Sequence, residues 1–199
     1  MPAAYTSTMF TPEVLGAQAD TYGKTYPVVG AVAKDPLGEQ EVEFIQTRDS
    51  FYLATITSNG WPYVQHRGGA PGFLALVEPN VLGFADVRGN RQLISTGNLT
   101  IHDRVSMFLI DYPTRTRLKL IGTAKALDAR AHGDLADQLC PDPALRKKVE
   151  RVILIDVKGY DWNCPQYITP RFTPAEIEEA IRPLHERIAE LEAALKRAI

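Results

Sequence analysis

Short runs of alternating apolar and polar residues, separated by turn residues, dominate the middle of the chain. Residues 51–57 have the alternation of a strand, Asn59 and Gly60 supply the turn of a tight hairpin, and residues 62–67 have the alternation of a returning strand. The same pattern predicts further strands at 81–86, 105–111, 117–127 and 152–157. Because hairpins join most of these strands and few helices intervene, the pattern favours an antiparallel β-barrel over a doubly wound parallel sheet.

The composition is that of a folded protein with one core. The 199 residues are 45% apolar and 23% charged, which is typical of a globular chain long enough to bury one sizeable core. The formal net charge of -2 provides no general attraction to nucleic acid or to an anionic membrane surface. The sequence has no uncharged apolar run of about 18 residues, and its N-terminus does not resemble a secretory signal. We therefore expect a cytoplasmic protein with no membrane span and no nucleic-acid partner.

Three segments are predicted along the chain. Residues 1–40 are rich in Pro, Gly, Thr and Tyr and have weak periodicity, which predicts an arm that is extended or folded into short helices over the main body. A short helix within residues 38–49 leads into the sheet. We expect residues 41–172 to form the barrel domain and residues 173–199 to form an amphipathic helix.

The C-terminal segment has the pattern of a helix with one apolar seam. Thr173 and Glu176 form a capping box, with Pro174 at the first helical position. Apolar residues then recur at spacings of four and three, at Ile177, Ile181, Leu184, Ile188, Leu191 and Leu195. Pro183 lies inside this pattern and predicts a kink or a break into two helices. We expect the segment to pack on the barrel or to pair with its copy in a second chain.

The second strand ends in polar side chains that alternate between its faces. Gln65 and Arg67 point to one face, and His66 points to the other. Gly68 and Gly69 then allow a backbone to approach a ligand closely, or simply permit an irregular turn. The segment is therefore a candidate ligand site, and the alternative is an exposed strand end with a solvated arginine.

A second candidate site lies where the strand at 81–86 is followed by a helix predicted at 90–96. Unpaired backbone N–H groups at a helix start favour an anion, and Arg88 and Arg91 flank this start. A guanidinium fork matches phosphate oxygens, which predicts a phosphate site at this helix start. Ordinary polarity at a helix start is the alternative.

A third group of cations lies on the strand at 117–127. Arg117 and Lys119 share one face of it, and the alternative is a half-buried strand whose polar side faces water. No catalytic triad, carboxylate pair or zinc-like spacing is present, and Cys140 and Cys164 are expected to be free thiols. A protein without its own nucleophile fits chemistry that a cofactor supplies.

Four blocks of sequence carry a resemblance to a known family. They are NGWPYVQHRGGAPGFL, LGFADVRGNRQLISTGNL, RLKLIGTAKAL and WNCPQYITPRF. Over residues 42–172 the chain resembles the pyridoxamine 5'-phosphate oxidase-like family of FMN-binding split barrels, and within it the bacterial flavin-nucleotide-binding branch. The resemblance implies a six-stranded antiparallel split β-barrel with peripheral helices, a homodimer, and one FMN per subunit at the subunit interface.

The resemblance also implies roles for individual residues. Asn90 and Arg91 match the pair that holds the FMN phosphate, and Arg67 matches a basic residue that assists it. Residues implied to lie along the isoalloxazine and ribityl groups are Gln65, His66, Phe84, Ala85 and Asp86. The strand that approaches the cofactor contributes Arg117 and Lys119, and the C-terminal element that closes the site contributes Asn163 and Gln166. Gly68, Arg88 and Gln92 complete the predicted cofactor-binding set.

The substrate implied by the family name is not expected. The true oxidase ends in an arginine- and histidine-bearing segment that binds pyridoxamine, whereas here WNCPQYITPRF is followed by a long helical tail. We expect an FMN-dependent oxidoreductase that transfers a hydride through flavin N5 to or from another small molecule. The alternatives are a reductase that uses the deazaflavin F420, and a non-catalytic flavin- or haem-binding carrier or sensor.

Overall fold

The computed structural model describes residues 2–28, 30, 32–162 and 164–198. Its strands are β1 (Ser50–Ile56), β2 (Pro62–Gly68), β3 (Ala75–Glu78), β4 (Val81–Val87), β5 (Arg104–Asp111), β6 (Thr116–Asp128) and β7 (Val149–Trp162). Its helices are α1 (Ala3–Met9), α2 (Pro12–Tyr22), α3 (Glu39–Gln46), α4 (Ile94–Asn98), α5 (Gly133–Leu139), α6 (Pro143–Arg146) and α7 (Pro174–Ala198). Among these described residues, none of the helices has both the length and the apolar character that crossing a membrane requires.

The strands form one mainly antiparallel sheet in the order β2-β1-β5-β6-β7-β4-β3. The six predicted strands are confirmed, but the predicted strand number is wrong, because β3 is a seventh strand. The sheet is also not closed in the described residues, since β2 and β3 end the order. Sequence patterns miss β3 because it has only four residues and because its pairing with β4 shifts between Leu76 and Glu78.

The main core lies on one face of the sheet. In β1, Phe51 and Leu53 alternate with more exposed residues, as the strand period of two requires. The Phe51 ring stacks 5.6 Å from that of Phe73 and meets the Phe84 ring edge-on at 5.3 Å. Burial of each such side chain stabilises the fold by about 1.5–3 kcal/mol.

One glycine permits the close pairing of β6 and β7. The register of these strands shifts between Ile121 and Gly122. A Cβ atom on Gly122 would lie 2.2 Å from the backbone oxygen of Asp156, which is shorter than any allowed contact. The bulge therefore requires glycine at this position.

The N-terminal segment is held to the sheet by a buried carboxylate. Asp35 accepts hydrogen bonds from the backbone N–H groups of Ala4 and Tyr5, both at 2.8 Å, and so caps the start of α1. The Lys119 ammonium lies 2.8 Å from Asp161 and 5.3 Å from the centre of the Tyr5 ring. Burial by itself lowers the pKa of Lys119, but the hydrogen bond and charge of Asp161, with the Tyr5 contribution, raise it above its ordinary value.

The chain divides into two compact units. The first comprises Met1–Ile110 and Arg117–Cys164, and the second comprises Asp111–Thr116 and Pro165–Ile199. Within the second unit, the Arg171 guanidinium lies 4.8 Å from the centre of the Tyr112 ring.

The capping box of α7 is confirmed, but the predicted break is not found. The Thr173 N–H donates to Glu176 Oε2 at 2.7 Å, and the Glu176 N–H donates to Thr173 Oγ1 at 3.3 Å. The helix continues through Pro183 as one element. Of the two predicted outcomes, the break into two helices is therefore wrong, because proline removes only one backbone donor, and the kink at Pro183 stays a prediction.

Candidate functional site

A polar cavity of about 160 Å³ lies where β2 and β4 end, beside the segment that precedes α4 and the start of β7. Its lining consists of Gln65, Arg67, Asp86, Val87, Gly89, Asn90, Arg91, Leu93, Ile94, Ser95, Thr96, Glu150 and Arg151. Three arginines and two carboxylates belong to this lining, so cationic groups are in excess. The cavity therefore suits an anionic ligand.

The alternation of β2 brings two predicted residues into the cavity. Gln65 pairs with Leu53 and Arg67 pairs with Phe51, so both project to the face that carries the core. His66 projects to the opposite face, where its ring lies 5.6 Å from that of Tyr52. The predicted division of these side chains between two faces is confirmed.

A buried carboxylate positions two of the arginines. Arg67 Nη1 donates to Asp86 Oδ1 at 2.7 Å, and Arg151 Nε donates to Asp86 Oδ2 at 2.9 Å. Arg67 and Arg151 are only 15% and 17% exposed, and Glu150 accepts a further bond from Arg151 Nη2 at 3.0 Å. Asp86 thus holds two guanidinium groups in fixed orientations at the edge of the cavity.

The segment before α4 is a loop rather than the predicted helix start. The helix begins at Ile94, so the prediction of a helix at 90–96 is wrong at its N-terminal end. Asn90 Oδ1 accepts a hydrogen bond from the Gln92 N–H at 3.1 Å, and Arg91 and Leu93 have φ values of 62° and 56°. This side-chain turn and two left-handed residues prevent helical geometry until Ile94.

Two guanidinium groups in the cavity retain unused donors. The Nε atom of Arg67 is buried without a hydrogen-bond partner among the described residues. Arg91 is exposed, and within the same part of the chain its guanidinium has neither a hydrogen bond nor an ion pair. Unpaired donors of this kind fit the terminal phosphate of FMN, since a phosphate presents several acceptor oxygens.

The remaining predicted residues do not line this cavity in the described structure. Phe84 is 2% exposed in the core, and Ala85 packs against a smaller cluster that includes Val152. Arg117 Nη2 donates to the Cys164 carbonyl at 3.3 Å, and Lys119 is paired with Asp161. The predicted residues His66, Gly68, Arg88 and Gln92 also lie outside the lining of this cavity. Gln166 belongs to the second unit, and Asn163 lies outside the described residues.

A second cavity of about 510 Å³ adjoins the first and shares Glu150 and Arg151 with it. Its cationic lining consists of Arg88, Arg130, Arg146, Lys147, Lys148 and Arg151. The structure therefore places the predicted residue Arg88 in this neighbouring basic cavity.

The sequence patterns did not predict that Ser95, Glu150 and Arg151 line the cavity. The Ser95 hydroxyl donates to Gln65 Oε1 at 3.0 Å, and Arg151 faces Asp86 across the β4–β7 pairing. Ser95 gave a weak signal, because it lies in one of the family blocks. Arg151 gave none, since only strand pairing brings a residue 65 positions away to Asp86.

Comparison with known proteins identifies the family of this chain. The model of the pyridoxamine 5'-phosphate oxidase family matches residues 37–154, which is more than half of the chain. The chain belongs to this family. No curated protein sequence matches it.

Several solved structures resemble this member of the pyridoxamine 5'-phosphate oxidase family. HupZ of Group A Streptococcus is 14% identical with a TM-score of 0.51, and the match covers 68% of this chain and 100% of that chain. An FMN-binding protein of Syntrophomonas wolfei is 9% identical, covering 62% and 86%, with a TM-score of 0.46. A structure named F420 reductase is 18% identical, covering 63% and 98%, with a TM-score of 0.45. At these identities the HupZ match supports the fold alone.

Proposed function

We propose that this protein binds FMN, with the phosphate in the polar cavity, and acts as an oxidoreductase on a small molecule. The observation that carries the proposal is the pair of arginines with unused donors, Arg67 and Arg91, in one cavity of a pyridoxamine 5'-phosphate oxidase family member. Arg91 supplies an unpaired charge, and Arg67 is held in place by Asp86. Such charge-assisted hydrogen bonds contribute about 1.5–3 kcal/mol each.

The other lining residues suit the polar chain of the cofactor. Asn90 lies beside Arg91 and, with it, would hold the phosphate. The Gln65 amide and the Ser95 hydroxyl, which bond to each other at 3.0 Å, offer groups that can bind ribityl hydroxyls. When bound, FMN supplies hydride transfer at its N5 atom, and the protein supplies binding and orientation.

A second subunit would complete the site. Pockets for ligands of cofactor size usually enclose about 300–1,000 Å³, whereas the cavity in one chain encloses about 160 Å³. The first cavity therefore has room for the phosphate end of FMN, and the isoalloxazine needs another surface, because the adjoining second cavity is lined almost entirely by charged residues. This difference supports a homodimer with FMN at the subunit interface. The substrate is a small molecule other than pyridoxamine phosphate. The reason is that WNCPQYITPRF and a long helical tail stand where the true oxidase has the arginine- and histidine-bearing segment that binds pyridoxamine.

The basic second cavity favours one alternative cofactor. F420 is a deazaflavin whose side chain carries a phosphodiester and a string of glutamates. This longer anion would extend from the first cavity into the second, where six cations line the walls. F420 reduction is therefore the second candidate function. Haem is a weaker candidate for this position, because the described residues that line the first cavity include none of the usual axial ligands His, Cys, Met and Tyr.

Freshly purified protein tests the proposal directly. We expect a flavin absorption spectrum, a released ligand with the mass of FMN, and saturable binding of added FMN to stripped protein. A colourless protein that ignores FMN would overturn the proposal.

Arg130→Ala separates the two cofactors. Arg130 lines the second cavity and not the first. The substitution should weaken F420 binding about tenfold or more and leave FMN binding unchanged, because only F420 reaches that cavity. Turnover with a nicotinamide donor then distinguishes an enzyme from a non-catalytic carrier or sensor.

A further inference from the structure

The α7 helix exposes a continuous apolar seam. Ile177, Ile181, Leu184, Ile188, Leu191 and Leu195 are 36–63% exposed, although they follow the spacing of a buried helix face. A seam of this length on one face is unfavourable in water. A second apolar surface should therefore cover it.

The spacing assigns each seam residue to a heptad position. The steps of four and three place Ile181, Ile188 and Leu195 at position a, and Ile177, Leu184 and Leu191 at position d. In the central part of the seam, from Ile181 to Leu191, position a is isoleucine and position d is leucine. Isoleucine at a with leucine at d favours a parallel, two-stranded coiled coil, because β-branched side chains pack best at a in that geometry. Pro183 takes position c, so its missing N–H lies away from the seam.

The charges beside the seam distinguish a parallel pair from an antiparallel one. Arg187 is at position g and Glu192 is at the following e position, which face each other between helices in a parallel pair. In a fully overlapping antiparallel pair, Glu178 would instead face the partner subunit's Glu192, and the two copies of Arg187 would meet. Like charges at both places disfavour that arrangement.

The contacts within one chain do not prevent this pairing. Arg187 Nη1 lies 2.8 Å from Glu190 Oε2, and both side chains are about two-thirds exposed. An exposed pair of this kind contributes little and is readily exchanged. Arg187 is therefore available to bond with Glu192 of the partner subunit.

From these observations we propose that the α7 helices of two copies of this chain pair as a parallel, two-stranded coiled coil through the seam from Ile177 to Leu195. This pairing does not depend on flavin binding. It needs only the second unit of each chain.

Site-specific crosslinking of the full chain tests the pairing. In a Cys164→Ser background, which removes the exposed native thiol, Leu191→Cys should be joined to its copy by a short bismaleimide. The control Ala193→Cys lies at the outward f position and should crosslink at least about fivefold less, because only a and d positions face the partner helix. Ile181→Cys repeats the test at another layer.

The same variants discriminate against the antiparallel pair. In an antiparallel pair, the two copies of residue 191 would be separated by about ten residues, or about 15 Å, along the helix axis. This separation is beyond the reach of the reagent. Equal crosslinking at 191 and 193, or none at 181 and 191, would overturn the proposal. The reaction is run with and without FMN. Because the pairing does not depend on flavin, crosslinking without FMN tests it separately from the flavin proposal.

Charge reversal tests the register. Arg187→Glu and Glu192→Arg should each lower crosslinking of the Leu191→Cys chain several-fold, and the double substitution should restore it. Failure of the double substitution to restore crosslinking would overturn the parallel register.

Discussion

Asp86 is the residue on which the geometry of the cavity depends. Each of its carboxylate oxygens accepts a hydrogen bond from a different arginine, and the side chain is buried. Two guanidinium groups thus share this carboxylate, and Arg151 also bonds to Glu150. This excess of cationic donors makes the cavity suitable for phosphate.

Replacement of Asp86 should destabilise the protein strongly. Asp86→Ala removes the carboxylate that two partly buried arginines share, and Arg151 keeps only its bond to Glu150, so the free energy of unfolding should fall by about 3–5 kcal/mol in urea denaturation. Asp137→Ala is the matched control, because its carboxylate is 67% exposed in a surface pair with Arg146. It should cost about 0–1 kcal/mol. Equal losses in the two variants would contradict the role given to Asp86.

Single residues are predictable where a strand period fixes their direction. The alternation in β2 is enough to place Gln65 and Arg67 on one face, because the side chains of a strand alternate between its faces. The ion pairs could not be predicted, because Arg151 reaches Asp86 only through the β4–β7 register. Nor could the pairing of Lys119 with Asp161 be seen in the sequence, since β6 and β7 bring these residues together.

At the scale of elements, the sequence predicts those helices and strands that depend on local signals, and it does not predict short or strained segments. The hairpin of β1 and β2 and the capping box of α7 follow from residues close in sequence. The start of α4 does not follow from nearby residues, because two non-glycine residues before it adopt left-handed φ values that no local propensity favours. β3 was missed because four residues are too few to establish a period.

The bulge between β6 and β7 should not tolerate a side chain. Gly122→Ala would place a Cβ atom 2.2 Å from a backbone oxygen, so a strand must shift, at a cost of about 1–3 kcal/mol or more. Gly133→Ala is the control, because a Cβ atom there would point into open space, and it should change the free energy of unfolding by less than about 0.5 kcal/mol. Thermal or urea unfolding measures both. A neutral Gly122→Ala would show that the two strands are not so closely paired.

At the scale of the whole molecule, the predicted family and the mainly antiparallel sheet with peripheral helices are confirmed, whereas the six strands predicted for the split barrel are seven in an open sheet. The order of sequence blocks was enough to identify the pyridoxamine 5'-phosphate oxidase family, and the family model matches residues 37–154. The strand order ends in β2 and β3, so strand closure could not be inferred from hairpin signals alone. The small volume of the cavity likewise depends on packing that the sequence does not display.

Flavin binding and subunit association should be linked. If the isoalloxazine needs a second subunit, FMN should raise the association constant of the chain in sedimentation equilibrium. Leu191→Glu in the full chain removes the apolar seam of α7 and leaves only association through the first unit to be measured. FMN that binds without changing the association constant would contradict a site at the subunit interface.

We propose above that the polar cavity holds the phosphate of a flavin nucleotide. The most direct test compares the affinities of FMN and riboflavin, which differ by that phosphate, in stripped wild-type, Arg91→Ala and Arg115→Ala proteins. Arg115 is the matched control, because it is also exposed and has a φ of 57°. We predict that Arg91→Ala lowers FMN affinity about tenfold to a hundredfold and leaves riboflavin affinity unchanged, whereas Arg115→Ala changes neither. Equal effects of Arg91→Ala on both ligands, or none on FMN, would contradict the account.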